Sequence, residues 1–313
     1  MSKAGAKEVI KRREALQKIL AAKGAGLGHE LASILDDLTK ELIELIGTEI
    51  NATGQALPSE ASVNAILKKI DRRIEAALGA KATAAYEAEF SSVAGAIAKG
   101  TPEIYTGFKF NTTTKNRVDA AAKIMDSGKR SKSFRSGFSA WQEDLKKISA
   151  DLHRDMSRSL IQAQQNGWDR TTLANKILKS PSMGWKNLPQ IGPKAHKIYT
   201  HSGALPEASA LRRRAHVIAR TNLTAARNQA QQDFAEEVGF THYINVNADP
   251  VSPLCKGANS EPPLTREEWE ATEWGWAPRH PNCDSDMLAV PTEQIEDTAQ
   301  VIAEEFDQLQ GAN

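Results

Sequence analysis

Five leucines at alternating spacings of four and three residues constrain the fold of this chain more than any other feature. They are Leu31, Leu35, Leu38, Leu42 and Leu45. Residues at these spacings share one face of an α-helix, and an apolar face of this kind needs a partner helix to cover it. The repeat lasts about two heptads, which is short for a coiled coil. It therefore predicts an amphipathic helix packed in a bundle.

Apolar stripes and capping residues predict further helices along the chain. Ser59 is a suitable N-cap for the helix that follows it, and Asp169 is one for a shorter helix. Further helices are predicted over residues 7–23 (ending at Gly24, Gly26 and Gly28), 80–98, 140–165 and 207–238 (ending at Gly239). Alternating apolar and polar residues predict a strand over residues 240–247, and residues 286–290 are a candidate returning strand.

Together these elements predict a mainly α fold. It has an extended N-terminal helical arm or bundle, long central helices, and a small, loop-rich α+β module near the C-terminus. We divide the chain into an N-terminal helical region (1–100), a basic linker or loop region (101–138), a core (139–290) whose last part (240–290) is the small module, and an acidic C-terminal helix (291–313).

Composition favours a soluble protein whose partners are charged. The 313 residues are 40% hydrophobic and 25% charged, which is typical of folded domains. No apolar run approaches the roughly 20 residues that cross a bilayer, and the first residues lack the apolar segment of a signal peptide. We therefore expect a protein made in the cytoplasm, with no membrane partner. From Asp233 onward there are 17 acidic and 3 basic residues, so the net charge of +1 conceals a basic body and an acidic end.

Two groups of basic residues are candidates for contact with phosphate groups of nucleic acid. The first lies in a Ser/Gly-rich segment that is typical of a loop and contains Lys129, Arg130, Lys132 and Arg135. The second opens the helix at 207–238 and contains Arg212, Arg213 and Arg214. Clustered Lys and Arg side chains bind the DNA backbone without reading its sequence. A solvated surface explains the same residues equally well, because no base-reading signature accompanies them.

The strongest candidate for a functional site is a set of metal-ligating residues near the C-terminus. Both cysteines of the chain, Cys255 and Cys283, lie there, and His280 precedes the second by three residues. Two thiolates and an imidazole are preferred zinc ligands, and tetrahedral zinc needs a fourth. Three side chains are candidates for that position: Asp249, Asp284 and His242. Because the surrounding segment has few aliphatic residues, a zinc ion would stabilise it.

Other interpretations of the same residues remain open at this point. Residues 280–283 could form a hydrogen-bonded turn, and Cys255 and Cys283 could form a disulfide. A Cys–His nucleophile–base pair needs an orienting third group, and the sequence identifies none. We therefore predict no catalytic residue. A metal-dependent nuclease or toxin-like domain that uses His280 and Cys283 is the alternative, and a non-specific DNA-binding module is a second.

The order of several motifs resembles that of a known family. The sequence I-A-R-T-N-L-T-A-A-R-N-Q-A occupies 218–230, D-P-V-S-P-L-C occupies 249–255, and P-R-H-P-N-C-D occupies 278–284; G-W-D-R-T-T-L-A-N-K-I-L precedes them at 167–178. This order is similar to that of the phage head morphogenesis family, the minor head proteins of the Mu-F-like type. The resemblance covers roughly residues 140–290. The chain departs from the family pattern at Asn222, where Glu is usual; at Asp284-Ser285, where Arg-Cys is usual; and at Ser252, where the first Cys of a pair is usual.

The resemblance implies a structural protein of the virion rather than an enzyme. Members of this family associate with the portal protein inside the capsid during procapsid assembly. Scaffold or major capsid protein and packaged double-stranded DNA are the further partners that the resemblance suggests. It implies a location near the portal vertex, after synthesis in the host cytoplasm.

Overall fold

The structure, a computed structural model, describes residues 3–53, 57, 59–105, 112–126, 132–180, 182, 210–247, 252–280, 283–292, 295–296 and 298–301. Its helices are α1 (Lys3–Thr53), α2 (Glu60–Ile74), α3 (Ala82–Tyr105), α4 (Thr112–Asp126), α5 (Lys132–Asn166), α6 (Arg170–Leu178), α7 (Ala210–Val238), α8 (Pro253–Ala258) and α9 (Arg266–Ala271). A π-helical segment (Glu75–Lys81) joins α2 to α3. The strands are β1 (His242–Val246), β2 (Leu264–Thr265) and β3 (Asp286–Val290). The predicted mainly α fold with a small α+β module near the C-terminus is confirmed.

The α1 helix and the continuous α2–α3 rod form an antiparallel hairpin. Near the end of α1, Lys69 of α2 donates from Nζ to Oε1 of Glu49 at 2.5 Å. Much earlier in α1, Lys23 donates from Nζ to Oγ of Ser92 in α3 at 2.5 Å. The contacts therefore pair late residues of one helix with early residues of the other, as in a helical hairpin.

The α5 and α7 helices complete an antiparallel four-helix bundle. Asn222 of α7 donates from Nδ2 to Oδ2 of Asp144 in α5 at 3.0 Å, and Arg214 donates from Nη1 to Oδ2 of Asp151 at 2.6 Å. α7 also packs along α1, and α5 packs along α2. Each long helix therefore lies between two antiparallel neighbours around one core. None of the helices within the described ranges has both the length and the apolar character needed to cross a bilayer.

The predicted leucine seam lies in this core. Leu31, Leu35, Leu38 and Leu42 are at most 2% exposed, and Leu45 packs partly buried against them. The predicted caps are also present. Ser59 and Asp169 accept hydrogen bonds from the backbone N–H of Ser62 and Thr172, and Gly239 follows α7 with a φ of +88°.

The predicted helix end at Gly24, Gly26 and Gly28 is wrong, because α1 continues through all three glycines. Packing explains why glycine stands there inside a helix. A Cβ atom at Gly28 would collide with the imidazole of His216, and one at Gly24 would lie 3.7 Å from Cγ of Arg220. The α1 and α7 backbones therefore approach closely, and at Gly28 that approach requires glycine.

The structure corrects the predicted loop character of residues 101–138 wherever it describes them. α3 continues to Tyr105, residues 112–126 form α4, and α5 begins at Lys132 rather than near residue 140. α4 packs against α3 and α7 and buries Val118 and Ala121. Its apolar residues therefore stabilise a helix that local composition concealed. The division of the chain into four regions stays a prediction, although α1 and α3 share one core with α5 and α7.

The small module contains an antiparallel sheet of strand order β2–β1–β3, with Tyr243 opposite Ala289. Both predicted strands are confirmed. The alternation expected in β1 is not reflected in burial, because all its residues after His242 are buried. One cause is that Trp269 and Trp276 cover Tyr243. Part of the predicted C-terminal helix is described, at residues 295–296 and 298–301; residues 302–313 lie outside the described residues.

Candidate metal centre

The first ligand position is set by the short helix α8. Ser252 precedes the helix with extended backbone angles, and Pro253 occupies the first turn, where its missing N–H costs nothing. Cys255 is therefore placed inside α8 and is 1% exposed. Within the module that we predicted to be loop-rich, this ligand position therefore belongs to a short helix.

The other two ligand positions belong to a tight turn. The backbone N–H of Cys283 donates to the carbonyl of His280 at 3.1 Å. Cys283 is fully buried, and the His280 side chain is half-buried. The hydrogen-bonded turn and the ligand cluster are thus compatible, since the turn brings the two side chains together.

The three predicted ligands form one cluster. Sγ of Cys255 lies 3.1 Å from Nε2 of His280 and 3.8 Å from Sγ of Cys283, and the three candidate ligand atoms all lie within 4.8 Å of one another. Both cysteines are free thiols, so the disulfide alternative is not what the structure contains. The arrangement is one that could hold a metal ion.

The spacing of the donors fits a tetrahedral ion of zinc size. With Zn–S bonds of about 2.3 Å, two sulfur ligands are about 3.8 Å apart, and a sulfur and an imidazole nitrogen are about 3.6 Å apart. The two sulfurs therefore already have a suitable separation. The imidazole needs to move by about 0.5 Å to widen its distance from Cys255.

The pKa values of the two thiols shift in opposite directions. A hydrogen bond from Cys255 and a second from His280 lower the pKa of the Cys283 thiol well below its usual range, although burial opposes this. The hydrogen bond to Cys283, followed by burial, raises the pKa of Cys255. A metal ion bound to both sulfurs would displace the thiol protons.

Two further residues at the cluster were not predicted. Ser285 hydrogen-bonds to the sulfur of Cys255, and it stands where the resembling family has a cysteine. Arg279 hydrogen-bonds to Cys283 and lies over the ring of Trp269, 5.4 Å from its centroid. The guanidinium charge favours thiolate in a buried site. The sequence does contain a signal for Arg279, because in the P-R-H-P-N-C motif it directly precedes the ligand His280.

The predicted fourth ligands do not complete the cluster in the described residues. Asp284 is ion-paired with Arg220, and Nδ1 of His242 lies 3.0 Å from Oγ1 of its neighbour Thr241. Asp249 lies outside the described residues. Three protein ligands are thus brought together, and the fourth predicted position is not assigned.

The segment after the cluster is held by α7 through buried polar contacts. Thr224 donates from Oγ1 to the carbonyl of Cys283 at 2.7 Å, and Arg227 donates from Nε to Oδ1 of Asp286 at 3.0 Å. Asn228 donates to the carbonyl of Ser285 and accepts from the N–H of Met287. The motif at 218–230 and the motif at 278–284 therefore meet at one buried interface.

The N-terminal part of α1 joins the same interface, which the sequence did not indicate. Nη2 of Arg13 lies 3.4 Å from Oδ2 of Asp286, and both side chains are fully buried. Gln17 donates to the carbonyl of Asp284. Nothing distinguishes Arg13 from the other basic residues of its segment, so this contact depends on tertiary packing that a sequence pattern does not reveal.

The predicted phosphate-contacting residues are dispersed. Arg212 is ion-paired with Asp36 at 2.9 Å, and Arg214 with Asp151 at 2.6 Å. Arg213 is partly buried, Arg135 is exposed, and Lys132 lies in the first turn of α5 rather than in a loop. Lys129 and Arg130 lie outside the described residues. Phosphate contact by these residues stays a prediction.

Comparisons with known proteins give no relative from which a role could be transferred. No protein-family model matches the chain, and searches of curated proteins and of solved structures found no match. The geometry of the site and the motifs of the sequence therefore carry the functional argument.

Proposed function

We propose that this chain is a minor head protein of a tailed bacteriophage, a structural component that associates with the portal in the capsid interior during procapsid assembly. The proposal is supported by the contact between two motifs that resemble the phage head morphogenesis family, the one at 218–230 and the one at 278–284. Thr224 of the motif at 218–230 donates to the carbonyl of Cys283, and Arg220 and Arg227 of the same motif contact Asp284, the last residue of the motif at 278–284. Sequence segments that resemble one family thus form one structural unit.

The chemistry of these residues also supports a structural role. Thr224, Arg227 and Asn228 are at most 1% exposed, and each is engaged by another part of the chain. Side chains used in this way fix the packing of α7 on the module and are not available to a substrate. The nuclease alternative has no comparable supporting observation.

The test of the proposal is binding to the portal protein of the same phage. Co-expression should yield a complex that elutes together with the portal ring in size-exclusion chromatography. Cryo-electron microscopy of procapsids should then show density for the α1–α7 bundle beside the portal. A portal that assembles into procapsids with no such density, and no complex in solution, would contradict the proposal.

For the cluster itself we propose zinc as the metal, held by Cys255, His280 and Cys283. Bound zinc would cross-link α8 to the turn that precedes β3, which stabilises a module with few aliphatic residues. The residues of the chain prepare this cross-link. Hydrogen bonds from Cys255 and His280 lower the pKa of the Cys283 thiol, Arg279 hydrogen-bonds to Cys283, and Ser285 hydrogen-bonds to Cys255.

Metal analysis of the purified protein tests this assignment. About one zinc per chain is expected, since the described residues contain one cluster of this kind. The Cys283→Ser and His280→Gln variants should lose the metal, whereas His153→Gln, an exposed histidine paired with Asp71, should retain it. A wild-type protein that binds no zinc after refolding with the ion would contradict the assignment.

A further inference from the structure

A groove lies on the face of the bundle formed by α1 and α3, away from the metal cluster. Its volume is about 520 Å³, and its apolar lining consists of Ala15, Leu16, Ile19, Ala96, Gly100 and Ile104. Leu16 packs against Gly100, where a larger residue would not fit, because a Cβ atom at position 100 would lie 2.9 Å from a Leu16 methyl group. The small residues on both helices therefore leave a depression that a third helix can enter.

The groove exposes a large apolar side chain. Ile19 is 53% exposed, more than any other large hydrophobic residue in the part of the chain that the structure describes. An isoleucine in this position gains free energy when a partner covers it. A single exposed residue is common on protein surfaces, so the charges around the groove are needed to indicate a partner.

Three lysines lie beside the groove. Lys99 lines it on α3, and Lys11 and Lys18 lie one turn before and after Ala15 on the exposed side of α1. None of the three has an ion-pair or hydrogen-bond partner among the described residues. By contrast, Arg12 at the same edge is paired with Glu8 at 2.9 Å and donates to the carbonyl of Glu103. Glu103 also lines the groove and Glu8 neutralises Arg12, so the three lysines leave a net positive charge at this edge.

We propose that this groove is the docking site for an amphipathic, acidic helix of the portal protein. An apolar face of that helix would cover Ile19 and the small residues, and its carboxylates would lie opposite Lys11, Lys18 and Lys99. The inference rests on the proposed function, since it names the surface through which the chain binds its partner.

The experiment measures the affinity of the full chain for assembled portal rings. Ile19→Asp should weaken binding at least tenfold, because it places a charge where an apolar contact forms. Ile161→Asp is the matched control, since Ile161 is 42% exposed on α5, on another helix of the bundle. It should change the affinity less than twofold. The unfolding midpoint of both variants should equal that of the wild type.

Charge reversal tests the acidic character of the partner. The triple variant Lys11→Glu, Lys18→Glu, Lys99→Glu should weaken binding and reduce its dependence on salt. Lys68→Glu, an exposed lysine on α2, is the matched control and should leave both unchanged.

The outcomes separate the two proposals. Wild-type chain that binds portal rings, together with Ile19→Asp that binds equally well, overturns the groove while the portal association stands. Wild-type chain that does not bind portal rings overturns both. If Ile19→Asp instead abolishes self-association of the chain and leaves portal binding intact, the groove joins two copies, and the assignment to a portal helix is wrong.

Discussion

Two faces of the N-terminal half of α1 use similar residues in opposite ways. On the face toward α7 and β3, Arg13 and Gln17 are buried; Arg13 is ion-paired with Asp286, and Gln17 hydrogen-bonds to the carbonyl of Asp284. On the face toward the groove, Lys11 and Lys18 are exposed and Ile19 faces solvent. Lys11 and Arg13 are two positions apart, yet one side chain is exposed and the other is fully buried. The difference teaches that the neighbouring elements, and not the residue type, decide whether a charge stabilises the core or remains available to a partner.

The largest expected loss of stability comes from removing the Asp286 carboxylate, which lies on the buried face. Asp286→Ala leaves the guanidinium groups of Arg13 and Arg227 buried without their carboxylate, and should lower the free energy of unfolding by about 3–5 kcal/mol. Urea unfolding measures the change. Asp71→Ala removes an exposed pair with His153 and should cost less than about 1 kcal/mol. Equal losses in the two variants would show that burial does not distinguish these charges.

A second prediction concerns acid, and it follows from the α1–α7 contact. Burial, followed by the proximity of His29, Arg220 and Arg212, lowers the pKa of His216 from 6.5 to about 4. The folded protein therefore disfavours protonated His216, so the stability present above pH 6.5 is lost as the pH falls from 6.5 to about 4, where the loss levels off. The loss should reach about 3 kcal/mol.

The measurement is the free energy of unfolding between pH 7 and 4 for the wild type and for His216→Gln. Subtracting the two curves removes the titration of the carboxylates that both proteins share. The wild type should lose stability more steeply. Parallel curves would contradict the lowered pKa of His216.

A third prediction uses two glycines of α1, and it tests how closely α1 approaches α7. Gly28→Ala forces a methyl group against the His216 ring and should cost about 1–3 kcal/mol. Gly26→Ala meets no atom within 4 Å and should stabilise the helix by about 0.5–1 kcal/mol. Thermal unfolding of the two variants gives the sign of each change. A stabilising Gly28→Ala would mean that α1 and α7 are farther apart than described.

The smallest effect on stability is expected on the groove face. Ile19→Asp should change the free energy of unfolding by less than about 0.5 kcal/mol, because the side chain is more than half exposed. Denaturant unfolding of the isolated chain provides the check. A loss well above 1 kcal/mol would assign Ile19 to internal packing, and its effect on portal binding could then no longer be attributed to a direct contact.

Local signals predicted most of the helical framework. The leucine seam, the Ser59 and Asp169 caps and the end of α7 at Gly239 all depend on residues within one or two turns of each other, so a sequence pattern contains them. The glycines of α1 were misread for the complementary reason. A glycine that ends a helix and a glycine that admits a second helix are identical in sequence, and the presence of α7 decides between them.

The candidate site was predictable in its ligands but not in its surroundings. Cys255, His280 and Cys283 are chemically distinctive, the last two are three residues apart, and the structure brings all three together. The short helix α9 also had a readable signal, the capping box formed by Thr265 and Glu268. The ion pair of Arg13 with Asp286 joins residues 273 positions apart, and no local pattern encodes it.

The antiparallel packing of α1 on α7 also has a mechanical consequence. α1 contains 51 residues and is therefore a rod of about 75 Å. Force along its axis would load the Gly28–His216 contact, the Gln17 hydrogen bond and the Arg13 ion pair at the same time, in shear. Force that pulls β3 away from α7 would load its contacts one after another. The protein should consequently resist tension along α1 much better than peeling at β3.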